Sequence, residues 1–414
     1  RSRVAYLEAP AHRMNTSRTI ALASLVAFAT QVAFALLMLR LFTPQEVGQF
    51  SVISQIGFFW MTLALAQSNL SLLANQHVPA PMAARQAWRA SALRGLALLP
   101  VAALAVWFSQ LSMWPALLWA LLLASCQMAW MLAQSLTLRV GSAWQQALVR
   151  VLPPATAAAC ALTAALLGAS LNWDGPVLLV AALLGYAVGA AWLVPALRAR
   201  GEQASASTHS HAPSTVDQQS DPRSAALRMA HTLVDALLAT AIIVVWQRLY
   251  GAEETGWMSA LLRVLGFVPA VVHMAWAQVT LAQGGHTRQA SWAKPGWLGL
   301  GAFACVALLG LACAAALHLG WLSPKWSGVW HYIAPLVVWQ GSACVSAAFS
   351  HRPFQTQTAQ KYSWACMGLA TVQGLVLIAP IALAAPIDPL SLVTAFALVS
   401  AVGDRKSTRL NSSH

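Results

Sequence analysis

The stretch WPALLWALLLASCQMAWMLAQSLTL, residues 114–138, runs for 25 residues without a charged side chain. A helix rises about 1.5 Å per residue, so about 20 apolar residues cross the ~30 Å hydrocarbon layer of a membrane. Only a helix or a closed barrel pairs every backbone N–H and C=O in lipid, and this run is much longer than a barrel strand. The stretch therefore predicts a transmembrane helix.

Similar runs follow one another along the chain, and charged residues lie mainly in the gaps between them. Hydrophobic residues make up 58% of the chain and charged residues 8%, whereas about a quarter of the residues of soluble domains are charged. The pattern predicts an all-α polytopic membrane protein with twelve transmembrane helices. The predicted spans are 19–41, 48–73, 92–111, 114–138, 147–170, 176–197, 228–249, 256–282, 296–319, 329–350, 362–385 and 388–403.

The net charge of +13 is explained by the membrane rather than by a nucleic-acid partner. Thirteen Lys and Arg residues lie in the gaps after even-numbered spans or within about three residues of them, and three lie in or next to the gaps after odd-numbered spans. Because basic residues are retained on the cytoplasmic side, this asymmetry predicts that both termini face the cytoplasm. We expect a multi-pass protein of the cytoplasmic (inner) membrane.

One long gap divides the chain into two halves. Residues 199–226 are rich in Ser, Gln, Ala and Thr and contain no aromatic residue, which predicts a flexible cytoplasmic linker between an N-terminal lobe, 14–198, and a C-terminal lobe, 227–403. We expect His209 and His211 in this linker to be solvated, because two histidines without a third ligand make a poor metal site. The abruptly polar residues 404–414 are predicted to be a non-native tail that cuts the last span short.

Two short segments repeat at a constant offset of 208 residues. Residues 40–48 read RLFTPQEVG and residues 248–256 read RLYGAEETG, and each segment joins the first and second span of its half. In the first copy, Thr43 to Glu46 have the pattern of a capping box, with Pro44 at the first helical position. The equal placement predicts a duplication, with two parallel six-helix repeats around a central cavity. The predicted repeat-turn residues are Arg40, Glu46, Gly48, Arg248, Glu254 and Gly256.

Two stretches resemble a known transporter family. LRLFTPQEVGQFSVISQIGFFWMTLALAQSNLSLL (39–73) is similar to the opening of polysaccharide-biosynthesis flippases, and WQRLYGAEETGWMSALLRVLGFVPAVVHMAWAQVTLAQ (246–283) is similar to their seventh and eighth spans. These O-antigen and repeat-unit flippases belong to the multidrug/oligosaccharidyl-lipid/polysaccharide exporter superfamily. The resemblance implies alternating access and an undecaprenyl-pyrophosphate-linked oligosaccharide as substrate. It further implies the bilayer and a polysaccharide polymerase as partners.

Three polar residues inside predicted spans are candidates for function. Arg263 lies about 10 Å inside the membrane, where a guanidinium is costly unless it faces water or a partner. The resemblance implies that it binds the substrate pyrophosphate. Gln55 occupies the equivalent position in the first repeat, and we expect it on the opposite wall of the cavity as a neutral hydrogen-bonding group. Asp235 is a candidate for ion coupling, although it lies too deep to pair with Arg263.

Two other classes of function remain open from the residues alone. A cation-exporting multidrug antiporter of the same superfamily needs carboxylates in its cavity, and spans 1–6 contain none in their interiors. A membrane-embedded polymerase, ligase or glycosyltransferase needs a sizeable loop or soluble domain, and the predicted outward loops are short. No G-x-x-x-x-G-K-[ST] pattern occurs, so we expect no P-loop, no cofactor and no enzymatic activity.

Overall fold

The computed structural model describes residues 26–27, 29–66, 68–74, 78–171, 176–198, 222–277, 293–352, 359–385 and 387–410. Within these residues every regular element is a helix, which confirms the predicted all-α class. The α-helices are α1 (Ala29–Leu41), α2 (Pro44–Leu65), α3 (Ser68–Ala74), α4 (Ala80–Ala97), α5 (Leu99–Phe108), α6 (Met113–Val140), α7 (Ala143–Leu171), α8 (Val177–Ala190), α9 (Val194–Arg198), α10 (Pro222–Val271), α11 (Ala293–His318), α12 (Trp330–Phe349), α13 (Ala359–Ala382) and α14 (Pro389–Leu410).

Three short helical segments join these helices. A 3-10 turn, Ala191–Leu193, connects α8 with α9, and a second, Pro324–Val329, leads into α12. A π-helical segment, Val272–Ala277, continues α10. Part of the predicted linker, 199–221, lies outside the described residues, while 222–226 form the first turn of α10. Residues 404–410 of the predicted tail continue α14, and 411–414 lie outside the described part.

The number of membrane spans depends on how broken helices are treated. Among the described residues, eight helices are long and apolar enough to cross a membrane, or nine when α4 and α5 form one span bent by 48°. One of the eight, Met229–Val271, covers most of two predicted spans. Two shorter apolar helices, Ala29–Leu41 and Pro389–Gly403, coincide with the first and last predicted spans. Each of the twelve predicted spans thus has a helical counterpart, but the count of twelve stays a prediction.

Two residues with positive φ change the direction of the helical backbone. One lies inside a predicted span, and the other lies between two predicted spans. Ala66 has φ 38°, which ends α2 inside the predicted span 48–73 and separates it from α3. Gly251 has φ 84° and ψ −176° within α10. A Cβ at Gly251 would meet nothing within 4 Å, so glycine is required there for its conformational freedom rather than for space. This residue divides α10 into the two predicted spans.

The chain forms two compact units. The first is Arg1–Leu37, Ile56–Val106 and Ser112–Val216, and the second is Met38–Gln55, Trp107–Leu111 and Asp217–His414, so far as these are described. Residues 38–55, which the sequence analysis assigned to the N-terminal lobe, are grouped with the second unit. The helix α2 is therefore divided, with residues 44–55 in the second unit and residues 56–65 in the first.

The first unit is held together by close helix packing and by arginine side chains that bind carbonyl groups. A Cβ on Gly185 would lie 2.6 Å from the Pro153 carbonyl oxygen, so α8 lies directly against α7. Arg139 donates one hydrogen bond to the Leu72 carbonyl at 3.1 Å and another to the Val78 carbonyl. The first bond satisfies an acceptor in the last turn of α3 that helical pairing leaves open, and the second satisfies an acceptor just before α4.

The second unit has an aromatic core and an apolar outer surface. Trp246, Trp326 and Tyr332 are almost completely buried. By contrast, Leu308 and Leu311 on α11 are both 66% exposed. Soluble proteins rarely expose such continuous apolar surfaces, so the outward face of α11 is explained by contact with lipid.

Candidate functional site

The guanidinium of Arg263 is held in one orientation by residues of α2. Arg263 is half-buried in the second half of α10. Its Nη2 donates to the hydroxyl oxygens of Ser51 and Ser54, both at 3.3 Å. Its central carbon lies 4.7 Å from the centroid of the Phe50 ring, which is a cation–π distance. All four residues belong to the second unit, so the site is built within one compact body.

Gln55 lies on the same face of α2 as the two serines. The spacing of Ser51, Ser54 and Gln55 is i, i+3 and i+4, which places their side chains next to one another. The Gln55 Nε2 donates to the Thr240 hydroxyl oxygen at 3.4 Å, and the Thr240 hydroxyl donates to the Ala236 carbonyl at 2.9 Å. The structure therefore brings Gln55 and Arg263 to one region of the second unit. Their placement on opposite walls of a central cavity stays a prediction.

The sequence analysis did not single out Phe50, Ser51, Ser54 or Thr240. The sequence does contain a signal, since Ser51, Ser54 and Gln55 form a polar stripe on a mostly apolar helix. Together with Arg263 they supply a fixed cation, two hydroxyl groups and a carboxamide. Such a set suits a polyvalent oxyanion, because a guanidinium can hold two phosphate oxygens at once through its planar edge.

The two repeat segments touch at their glycines. A Cβ on Gly48 would lie 1.8 Å from the Ala252 carbonyl oxygen, and a Cβ on Gly256 would lie 1.8 Å from the Pro44 carbonyl oxygen. Pro44 and Ala252 are themselves related by the offset of 208, so the contact is symmetric under exchange of the two segments. Gln55 and Arg263 each lie seven residues, or about 10 Å, further along their helices than these glycines.

The other repeat-turn residues differ between the two copies. The predicted capping box is present, since Glu46 Oε2 accepts from the Thr43 amide and hydroxyl, each at 2.7 Å, and the Glu46 amide donates to the Thr43 hydroxyl oxygen at 3.3 Å. In the second copy, the Glu254 carboxylate instead accepts a hydrogen bond from the Tyr332 hydroxyl. Arg248 lies over the Phe108 ring at 5.5 Å, and Arg40 is exposed. The shared sequence therefore does not impose identical side-chain contacts.

Asp235 is paired with a histidine one helical turn away. The His231 Nε2 lies 3.2 Å from the Asp235 Oδ2, and the Asp235 side chain is 58% exposed. The Tyr362 ring meets the His231 ring edge to face. The sequence analysis had not selected His231, although its i, i+4 spacing from Asp235 signals such a pair.

Metal sites and cavities are the other kinds of site that the described residues could form. The described part of the chain contains no group of three or more His, Cys, Asp or Glu residues placed to hold a metal ion, and His209 and His211 lie outside it. The first unit has a cavity of about 550 Å³ at the end of α6, and the candidate residues do not line it. Its lining residues are Leu136, Thr137, Val140, Gly141, Gln145, Ala191, Trp192 and Pro195.

Comparison with known proteins identifies the fold but not the family. No family model and no curated protein matches the sequence. The fold is similar to that of the lipid II flippase MurJ in its inward closed conformation, with a TM-score of 0.62 over 97% of this chain and 88% of that chain. The sequence identity is 11%. This chain has the fold of that flippase.

A second solved structure, an inward-facing multidrug resistance MATE family transporter of the MOP superfamily, aligns less closely. Its TM-score is 0.41 at 12% identity, over 94% of this chain and 95% of that chain.

Proposed function

We propose that this protein is a flippase that moves undecaprenyl-pyrophosphate-linked oligosaccharide across the cytoplasmic membrane by alternating access. The product would serve assembly of a cell-surface polysaccharide such as the O-antigen of lipopolysaccharide. The observation that carries the proposal is Arg263, a half-buried guanidinium held by Ser51 and Ser54. The fold of a lipid II flippase supports a lipid-linked substrate of the same chemical class.

In this proposal Arg263 binds the pyrophosphate and Gln55 contributes a neutral hydrogen bond. An arginine within an apolar bundle is costly, and its cost is offset when it faces a hydrated path and an anionic ligand. The two serines and Phe50 reduce the freedom of the side chain before the ligand arrives, which lowers the entropic cost of binding. The bilayer accommodates the lipid tail, and a polysaccharide polymerase is the proposed recipient of the product.

A cation antiporter on the same fold is the second candidate. The observation that favours it is the Asp235–His231 pair, an exposed carboxylate on a predicted span with a histidine 3.2 Å away. The same pair is our candidate for ion coupling in the flippase. The two functions differ in their dependence on Arg263, which an antiporter for cations does not need.

The test is complementation of a flippase-null strain by Arg263 variants. We expect Arg263→Ala to abolish complementation, because the anionic group loses its only proposed cationic ligand. We expect Arg263→Lys to restore it in part, since a lysine supplies the charge without the planar fork. Arg40→Ala is the matched control, because Arg40 is an exposed arginine of the same unit.

Membrane insertion and thermal stability of each variant are measured alongside. Full complementation by a well-folded Arg263→Ala protein would remove the proposed role of Arg263. Loss of cation export on Asp235→Asn, together with normal behaviour of Arg263→Ala, would favour the antiporter.

A further inference from the structure

A second group of basic side chains lies near the π-helical segment that continues α10. It is about 25 Å from Gly256, measured along these two helices. His273, in the π-helical segment, places its Nδ1 3.3 Å from the hydroxyl oxygen of Ser350, which follows α12. The ring of His351 meets the ring of Trp276 edge to face, with centroids 6.2 Å apart. The π-helical segment thereby lies against the end of α12, with His273 beside Ser350, the residue that precedes His351 and Arg352.

Two of these basic residues are buried. His351 is 2% exposed and Arg352 is 9% exposed, whereas His273 is exposed. Burial, and after it the charge of Arg352, lower the pKa of His351, while the nearby Ala348 carbonyl acts in the opposite direction. The Arg352 charge acts on His351, so the two side chains are close enough to form one positively charged region.

Neighbouring sequence supplies no negative charge to this cluster. Between Glu254 and Asp388 the chain contains no aspartate or glutamate. Arg352 lies with its guanidinium carbon 5.4 Å from the centroid of the Phe349 ring. That contact uses the flat face of the guanidinium, whereas phosphate oxygens bind along its edge. Ring stacking and anion binding therefore use different parts of a guanidinium.

The cluster lies where α11 begins and α12 ends. A Cβ on Gly299 would lie 3.1 Å from the Val345 Cα and 3.5 Å from the Ala348 Cβ, so the first turns of α11 pack against the last turns of α12. Trp297, in the first turns of α11, is 74% exposed. Exposed tryptophans at the ends of apolar helices mark the level of the lipid headgroups. Phosphate groups of membrane lipids are the anions found at this level.

We propose that His273, His351 and Arg352 form a site for the phosphate group of a membrane lipid, separate from the site at Arg263. Arg263 and His273 are ten residues apart, or about 15 Å along the helix, so one pyrophosphate group does not reach both. Two lipids carry this chemistry. One is the pyrophosphate-linked substrate, which would bind here before it reaches Arg263. This possibility rests on the proposed function. The other is a bulk anionic phospholipid.

The experiment measures binding of soluble lipid probes to the purified full chain in a neutral detergent. Every protein, including the parent with no further change, carries Arg263→Ala, so that the proposed site at Arg263 does not contribute to the binding. The probes are farnesyl pyrophosphate and dihexanoyl phosphatidylglycerol, with dihexanoyl phosphatidylcholine as the uncharged comparison. We expect Arg352→Gln to weaken binding of the preferred probe about tenfold or more, which is the usual effect of losing a charge-assisted hydrogen bond. We expect Arg352→Lys to weaken it less.

Two further variants separate binding from folding. His273→Gln changes an exposed side chain and keeps the fold, and we expect it to weaken binding measurably. Lys361→Gln is the matched control, because it removes a positive charge from an exposed residue at the start of α13, and we expect unchanged affinity. Preference for farnesyl pyrophosphate identifies the substrate as the ligand, and equal binding of both anionic probes identifies bulk phospholipid.

The proposal is overturned if the parent binds neither anionic probe. It is also overturned if folded Arg352→Gln and His273→Gln proteins both bind as the parent does. The proposed function fails on a different result. That result is normal transport by a protein whose single change is Arg263→Ala.

Discussion

Replacing Gly256 by alanine tests the symmetric contact between the two repeat segments. The new Cβ would lie 1.8 Å from the Pro44 carbonyl oxygen, 2.5 Å from its carbon and 2.9 Å from its Cα. Real Cβ atoms essentially never approach another heavy atom within 3.0 Å. The obstacle is backbone, so no side-chain rotation relieves it. The helices α2 and α10 must therefore separate by more than 1 Å.

This separation sets the expected loss of stability. Overpacking costs about 1–3 kcal/mol where side chains can yield, so we expect about 3 kcal/mol or more here. For a unit of this size, that corresponds to a fall in Tm of about 6 °C or more. The Gly48→Ala change meets the Ala252 carbonyl in the same way. Once either alanine has separated the helices, the second costs less, so the double variant should be less destabilised than the sum of the two.

The assay is thermal unfolding of the purified protein in detergent, followed by intrinsic fluorescence. Gly368→Ala is the matched control, because a Cβ at this position of α13 meets nothing within 4 Å. Alanine is the better helix former by about 0.5–1 kcal/mol, so the control should keep or slightly raise its Tm. A Gly256→Ala protein with the Tm of the control would refute the close contact and, with it, the pairing of the repeats.

Two predictions concern other parts of the chain. Arg139→Gln loses charge-assisted hydrogen bonds to the Leu72 and Val78 carbonyls, and we expect about 2–4 kcal/mol of destabilisation, measured as a lower Tm against Gly368→Ala; an unchanged Tm would contradict this capping role. Ser207→Cys should react with a membrane-impermeant maleimide only after cells are permeabilised, because the loop charges predict a cytoplasmic linker. Labelling of intact cells would reverse the predicted topology.

The sequence alone was sufficient for features that depend on local chemistry. Runs such as 114–138 have no stable structure in lipid other than a helix, and the described part of the chain is helical. The capping box at Thr43 and Glu46 forms as predicted, because its bonds join residues three apart. The two similar segments were also visible in the sequence, and their origin by duplication stays a prediction.

The partners of Arg263 could be decided only by the tertiary structure. Ser51 and Ser54 are more than two hundred residues away in sequence, and no local pattern joins them to an arginine. The same holds for Gly48 and Gly256, whose function as contact points appears only when the two segments are placed against each other. In a soluble helix, alternation of polar and apolar residues shows which face is buried. In a membrane helix lipid and core are equally apolar, so the sequence predicts the span but not the face that meets its neighbour.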